Sequence, residues 1–293
     1  TLDADSNDDG SGDYSNTAGT FSTGGSGLSI TANDFGLSGA INTGTGTTTI
    51  LISDGGSIGL GSTVGNMTIT GAELGNITAG TLTIGDSTAG AMTVNGISSA
   101  NSTNITNVDL NSSSIAFSTG DSTFKGLTAT ANTGTITGAV ALTVAGTSTF
   151  TTSATNQSIT LSSTSNDFTG AVSFNTTGSS ASTTLATNSS IILGASAIGG
   201  DQSVTVGGTS QTMNISGVQD VGGTITLQSS GDLTLTSSLS SSSSSDSAIS
   251  LTSTGGGILD GDLDGSTDIE ATNGRLVAVS NGGFGTSANP IET

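Results

Sequence analysis

The chain has 293 residues, with 22 acidic side chains against two basic ones, Lys125 and Arg275, a formal charge of -20, and no His or Cys. Nothing in it can neutralise phosphates, which excludes nucleic acid and anionic membrane surfaces as partners. A Ser-His-Asp or Cys-His nucleophile, a zinc site, a histidine base and a disulfide framework are excluded as well.

Residues 1–14 form an acidic, Gly/Ser-rich lead-in. Apolar pulses follow, among them Leu28 and Ile30, Ile50 and Ile52, Ile58 and Leu60, Met67 and Ile69, Leu82 and Ile84, and Met92 and Val94. Residues 137–175 show the pattern most clearly: Val140, Leu142 and Val144, then Ile159 and Leu161, then Val172 and Phe174, separated by Ser, Thr, Asn, Gly and Ala. Further pulses run through Ile191 and Leu193, Val204 and Val206, Met213 and Ile215, Ile225 and Leu227, Leu233 and Leu235, Ile249 and Leu251, to Leu276 and Val279. Alternation at period two puts the apolar set on one face of a strand and the Thr/Ser set on the other.

Apolar residues are nowhere sustained at helical spacing, and Gly, Ser, Thr and Asn at this density are poor helix formers, so an all-β chain with almost no helix is expected. Hydrophobic residues make up 31% and aromatics 3%. That is too little for a thick sandwich core and too regular for a disordered tract; a thin, elongated core fits. Asn-Gly and Asp-Gly hairpin turns are scattered and the strands are short, which favours a parallel β-solenoid over an antiparallel array. Two or three pulses per turn imply turns of roughly 20 to 30 residues. The expectation is one continuous β-solenoid over residues 1–293, with the serine run 237–247 as a loop or module break. A start without Met and an abrupt end suggest a piece of a longer protein, with any export signal outside it.

The segments SITANDFGLSGAINTGTG (29–46) and NQSITLSSTSNDFTGAVSFN (156–175), with TGAVALTVAGTSTF before the second and IILGASAIGGDQSVTVGG after it, resemble the filamentous haemagglutinin family. These are large exoproteins of two-partner secretion, and the likeness extends over nearly the whole chain. It implies a right-handed parallel β-helix, an extracellular or outer-membrane-associated location, and roles in adhesion, biofilm or surface-fibre formation. It also implies a host or neighbouring-cell receptor or polysaccharide as partner. The family's export domain carries an Asn-Pro-Asn-Gly type motif; here the only Asn-Pro is Asn289-Pro290, followed by Ile291, so the chain reads as shaft without export domain. Two other functions stay open: a self-assembling filament or sheath subunit joined end to end, and a carbohydrate-active β-helix enzyme using paired carboxylates such as Asp260 and Asp262.

Two acidic windows share a spacing. Asp5, Asn7, Asp9, Gly10 and Asp13 stand at positions 1, 3, 5, 6 and 9 of a calcium loop, and so do Asp260, Asp262, Asp264, Gly265 and Asp268. Alternate oxygens can converge on a hard cation while Gly allows the sharp turn. The closing Glu is missing, since position 12 holds Asn16 or Ala271, so any calcium site would be weak. The competing reading is a solvated acidic turn. Thr-x-Thr pairs such as Thr68 and Thr70 or Thr224 and Thr226 read as outward strand residues, and Phe35, Phe168 and Phe284 as core plugs.

Overall fold

Which side chains go inside is decided by alternation. In the strand Leu28–Ala32, Leu28, Ile30 and Ala32 are buried while Ser29 and Thr31 lie half-exposed between them. The same in-out rhythm recurs from strand to strand. The computed structural model describes every residue except Asp8 and Leu263. The chain is a parallel β-solenoid of about 12 turns, with 4% helix. It resolves into two compact units, Thr1–Ala145 and Gly146–Thr293.

In the first unit, the strands of two files pair in parallel with one roughly twenty to thirty-five residues further on. The main file runs from Leu28–Ala32 through Thr47–Ile52, Ile77–Ile84 and Ile105–Ser112 to Leu127–Ala131. Its register stacks Ile30, Ile50, Ile84, Leu110 and Ala129 in one line, every one fully buried. A second file stacks Ile58, Met92, Ile115 and Ile136. No single turn could bury its apolar face alone; stacking does it, and the parallel backbone ladder satisfies the amides at the same time.

The pulse at Met67 and Ile69 does not open a new turn. The strand Met67–Ile69 doubles back in parallel onto Ile58–Gly61, Met67 opposite Ile58 and Ile69 opposite Leu60. A short helix, Gly71–Gly75, follows and buries Leu74. Its capping box is complete: Glu73 N donates to Thr70 Oγ1 at 3.2 Å and Thr70 N to Glu73 Oε2 at 2.8 Å. A second helix, Ser99–Ser102, begins where Ser98 N donates to Asn101 Oδ1 at 2.9 Å.

The second unit repeats the scheme with three strand files. One stacks Leu161, Leu185, Val204, Leu227 and Leu251. The next stacks Ile191, Met213, Leu233 and Ile258, and the third stacks Ser196, Gln219, Leu239 and Ile269. The serine run 237–247 contains the strand Leu239–Ser241, with Leu239 fully buried. Beyond it, Ser243 N, Ser245 N and Ser247 N donate to the hydroxyls of Ser241, Ser243 and Ser245, each at 3.2 Å, so the run folds as successive serine turns.

Phe35 and Phe168 plug the core, at 2% and 1% exposure. Phe284 does not: it bridges only to Ile258 at the last turn and remains 43% exposed. Val140 also departs from the pattern, because the strand begins later, at Leu142–Val144, and leaves Val140 half-exposed. Among the described residues no helix is long and apolar enough to cross a membrane.

Candidate functional site

The two acidic windows fold differently. In the first, Asp5 is 1% exposed and closes the loop on itself: its Oδ1 accepts from Asp9 N at 3.2 Å and its Oδ2 from Gly10 N at 3.0 Å. Gly10 takes φ 73°, the left-handed turn expected of the sixth position. Hydrogen bonds from Ser11 Oγ and Asn7 Nδ2 hold the Asp9 carboxyl below its ordinary value. Asp13 turns away and accepts from Asn33 Nδ2 at 3.3 Å. Among the described residues the carboxylates of Asp5, Asp9 and Asp13 form no common group.

The second window does gather carboxylates. Asp260 ends the strand Ile258–Asp260 on the inward phase, opposite Leu235. Asp268 sits just before Ile269–Ala271 at 4% exposure. Asp262 joins them, and one oxygen from each of the three lies within 4.8 Å of the others. Asp264 is not part of that group; its Oδ1 accepts from Ser266 N at 2.6 Å and caps its own turn. Asp260 Oδ1 accepts from Asp262 N at 3.0 Å, and Asp268 Oδ2 from Glu292 N at 3.1 Å.

Crowding raises two of these carboxyls. Loss of hydration raises the Asp262 carboxyl, with the Asp264 and Asp260 charges adding to it. Burial pushes Asp268 up to about 6, and the nearby Asp260 and Glu292 charges contribute. A polar cleft of about 210 Å³ opens beside the group, lined by Asp262, Asp264 and Asp268 with hydroxyls from Thr236, Ser237 and Ser266. Chemically the group offers a shared proton, or three of the six to eight oxygens that a calcium ion takes.

Five other carboxylates serve a purpose that spacing did not reveal: they join turns. Asp34 Oδ1 accepts from Thr68 N at 2.8 Å and from Phe35 N at 2.9 Å, and Glu73 Oε1 from Leu37 N at 3.0 Å. Asp121 Oδ1 receives Ala141 N at 2.9 Å, Asp201 Oδ1 receives Thr224 N at 2.7 Å, and Asp232 Oδ1 receives Gly257 N at 2.8 Å. Each caps an amide of another turn with a charged acceptor, roughly twice as strong as a neutral one. For Asp121, Asp201 and Asp232 the sequence signal was an Asp directly after a Gly, twenty or more residues before the amide it caps, whereas Glu73 follows its amide by 36 residues.

Stacked turns and inward apolar files define the chain as a β-solenoid repeat protein. The family described as "Repeats of unknown function (DUF5649)" matches residues 105–175. No curated protein and no solved structure matches the chain.

Proposed function

We propose that the chain is a non-catalytic structural segment of a bacterial surface-exposed or secreted adhesin of filamentous haemagglutinin type, working by repeated weak contact along its surface. The observation that carries the proposal is the outward face. In the second unit the register aligns Thr160, Thr184, Ser203, Thr226 and Ser250 in one file, directly beside the buried apolar file of the same strands. A file of neutral hydroxyls repeating at strand spacing suits hydrogen bonding to a polysaccharide or an extended peptide, and it asks for no charge from the partner. The inter-turn roles of Asp34, Glu73, Asp121, Asp201 and Asp232 also favour a structural reading over hydrolysis, because these carboxylates are committed to backbone amides.

Beads coated with the chain should adhere to cells or to polysaccharide films in proportion to coating density. Binding no better than albumin-coated beads across a panel of both would sink the adhesive reading. Immunolabelling of intact producing cells tests the location, and label that appears only after lysis would oppose it.

One observation favours a self-assembling subunit as the second reading. The strand Leu276–Ser280 ends its sheet, and its outward positions are Val277 and Val279, 39% and 56% exposed, where the preceding strands Ile249–Ser253 and Ile225–Ser229 present Ser250, Thr252, Thr226 and Gln228. An apolar strand at an open edge is a template for a further strand. Concentration-dependent sedimentation that Val279→Lys abolishes would favour this reading; a monomer at every concentration would favour the shaft.

A further inference from the structure

In the second unit, the inward file through Ile159, Thr183, Gln202, Ile225 and Ile249 is apolar except at Thr183 and Gln202, which are partners in register and are each 1% exposed. The orientation of Gln202 is forced by a neighbour. Gln219, fully buried, donates Nε2 to Gly194 O and to Gly217 O, both at 2.7 Å, so its Oε1 must be an acceptor. Gln202 Nε2 fills that acceptor at 2.8 Å. Exchanging oxygen and nitrogen on either amide would set like groups against each other. Gln202 Oε1 is thereby turned away from Gln219 and, among the described residues, has no hydrogen-bond partner, and neither has Thr183 Oγ1 on the adjacent strand. Among the described residues the two other orphaned side chains, Ser53 and Ser148, lie outside both strands.

An unsatisfied buried polar atom bears its full desolvation cost, and two of them on register partners call for one shared partner. Its chemistry is fixed by the walls. It must donate to an amide oxygen, exchange a hydrogen bond with a hydroxyl, carry no charge, and be very small. Thr183 is one atom shorter than Ile159 and Ile225, which hold the equivalent inward position, so it fills less of the file than they do.

We propose that a single water molecule is bound inside the second unit, donating to Gln202 Oε1 and hydrogen-bonded to Thr183 Oγ1. Thr183, the water, Gln202 and Gln219 then form one neutral, satisfied network across successive turns. The network pins the register, because a slip of one residue would set the Gln202 amide outward and leave Gln219 without its acceptor's partner.

A crystal structure at atomic resolution tests the site directly. The expected result is a density peak within hydrogen-bonding distance of both atoms. Thr183 Oγ1 found bonded straight to Gln202 Oε1, or the space filled by side chains, overturns the proposal. Oxygen-17 magnetic relaxation dispersion of the whole chain gives an independent count: Thr183→Val and Gln202→Met should each lose one long-lived water relative to the native protein. An unchanged count in either folded variant also overturns it, and the native crystal decides the matter if neither variant folds.

Discussion

Asp201 and Thr224, on neighbouring turns, are joined by one carboxylate oxygen: Asp201 Oδ1 accepts both the backbone N–H of Thr224, at 2.7 Å, and its hydroxyl, at 2.9 Å. The backbone ladder resumes directly after it, where Gln202 N donates to Thr224 O at 2.8 Å. The carboxylate thus holds the first amide of the incoming turn before strand pairing takes over. Asp201→Ala should weaken amide-exchange protection at Thr224 by roughly tenfold, about 1.4 kcal/mol, while Asp201→Asn, which keeps a neutral acceptor oxygen, should fall between the two. Equal exchange at Thr224 in all three proteins would refute the clasp.

Phe150 and Phe174 are register partners and stack with ring centroids 5.8 Å apart and planes at 22°, while Phe168 meets Phe150 edge-on at 6.1 Å. These are the largest side chains in that core and each is 1% exposed or less. Phe174→Ala should destabilise the second unit by about 3–5 kcal/mol in urea unfolding, and Phe174→Leu by much less. A loss below about 1 kcal/mol for the alanine variant would mean that the site collapses freely, contrary to a close-packed interior.

The strands were legible because their alternation is local: two residues decide which face is which. Ile30, Ile50 and Ile84 could be named as inward from their own neighbours, and the parallel solenoid followed from short strands and scarce hairpin turns. What depends on register was not legible. The doubling back of Met67–Ile69 looks like one more pulse in sequence, and the partner of Glu73 Oε1, Leu37 N, lies 36 residues away. The calcium-loop spacing treated Asp260, Asp262, Asp264 and Asp268 as equivalent, yet the backbone spends Asp264 on capping Ser266. Gln202 and Gln219 fall on the inward phase of their strands, although their residue type gives no sign of it.

Asp268 should give the second unit an unusual response to acid. Its carboxyl is raised in the folded chain to about 6, from an ordinary 3.8, chiefly by burial. The folded state therefore binds the proton more tightly than the unfolded state does, so this group favours folding increasingly as pH falls through about 6, with the gain complete near 3.8. At neutral pH the buried charge opposes folding. Asp268→Asn cannot ionise but still offers an oxygen to Glu292 N, so it should be more stable than the native chain at about pH 7.5 and no more stable at about pH 4. Groups remote from Asp268 contribute equally in both proteins, so the difference between their melting temperatures reads Asp268 together with the Asp260 and Glu292 charges beside it. A difference that does not change with pH would contradict the assignment.

Gly19 and Gly85 share one backbone conformation, φ 76°, in different surroundings. A Cβ added at Gly19 meets nothing within 4 Å, whereas at Gly85 it would lie 2.3 Å from Asn111 O on the next turn, 3.0 Å from Ile58 Cδ1 and 3.3 Å from Ala89 Cβ. Gly85 N is also held, donating to Ile50 O at 2.8 Å, so the corner cannot swing outward without breaking the ladder on its other side. Gly19→Ala should cost only the left-handed strain of about 1–2 kcal/mol. Gly85→Ala carries the same strain and must also push two stacked turns apart, so its loss should be several kcal/mol and should be accompanied by faster exchange of the amides in Ile105–Ser112. Parallel chemical unfolding of the two variants reads the comparison directly. Equal losses would show that conformation alone, and not the approach of the neighbouring turn, selects glycine at this corner.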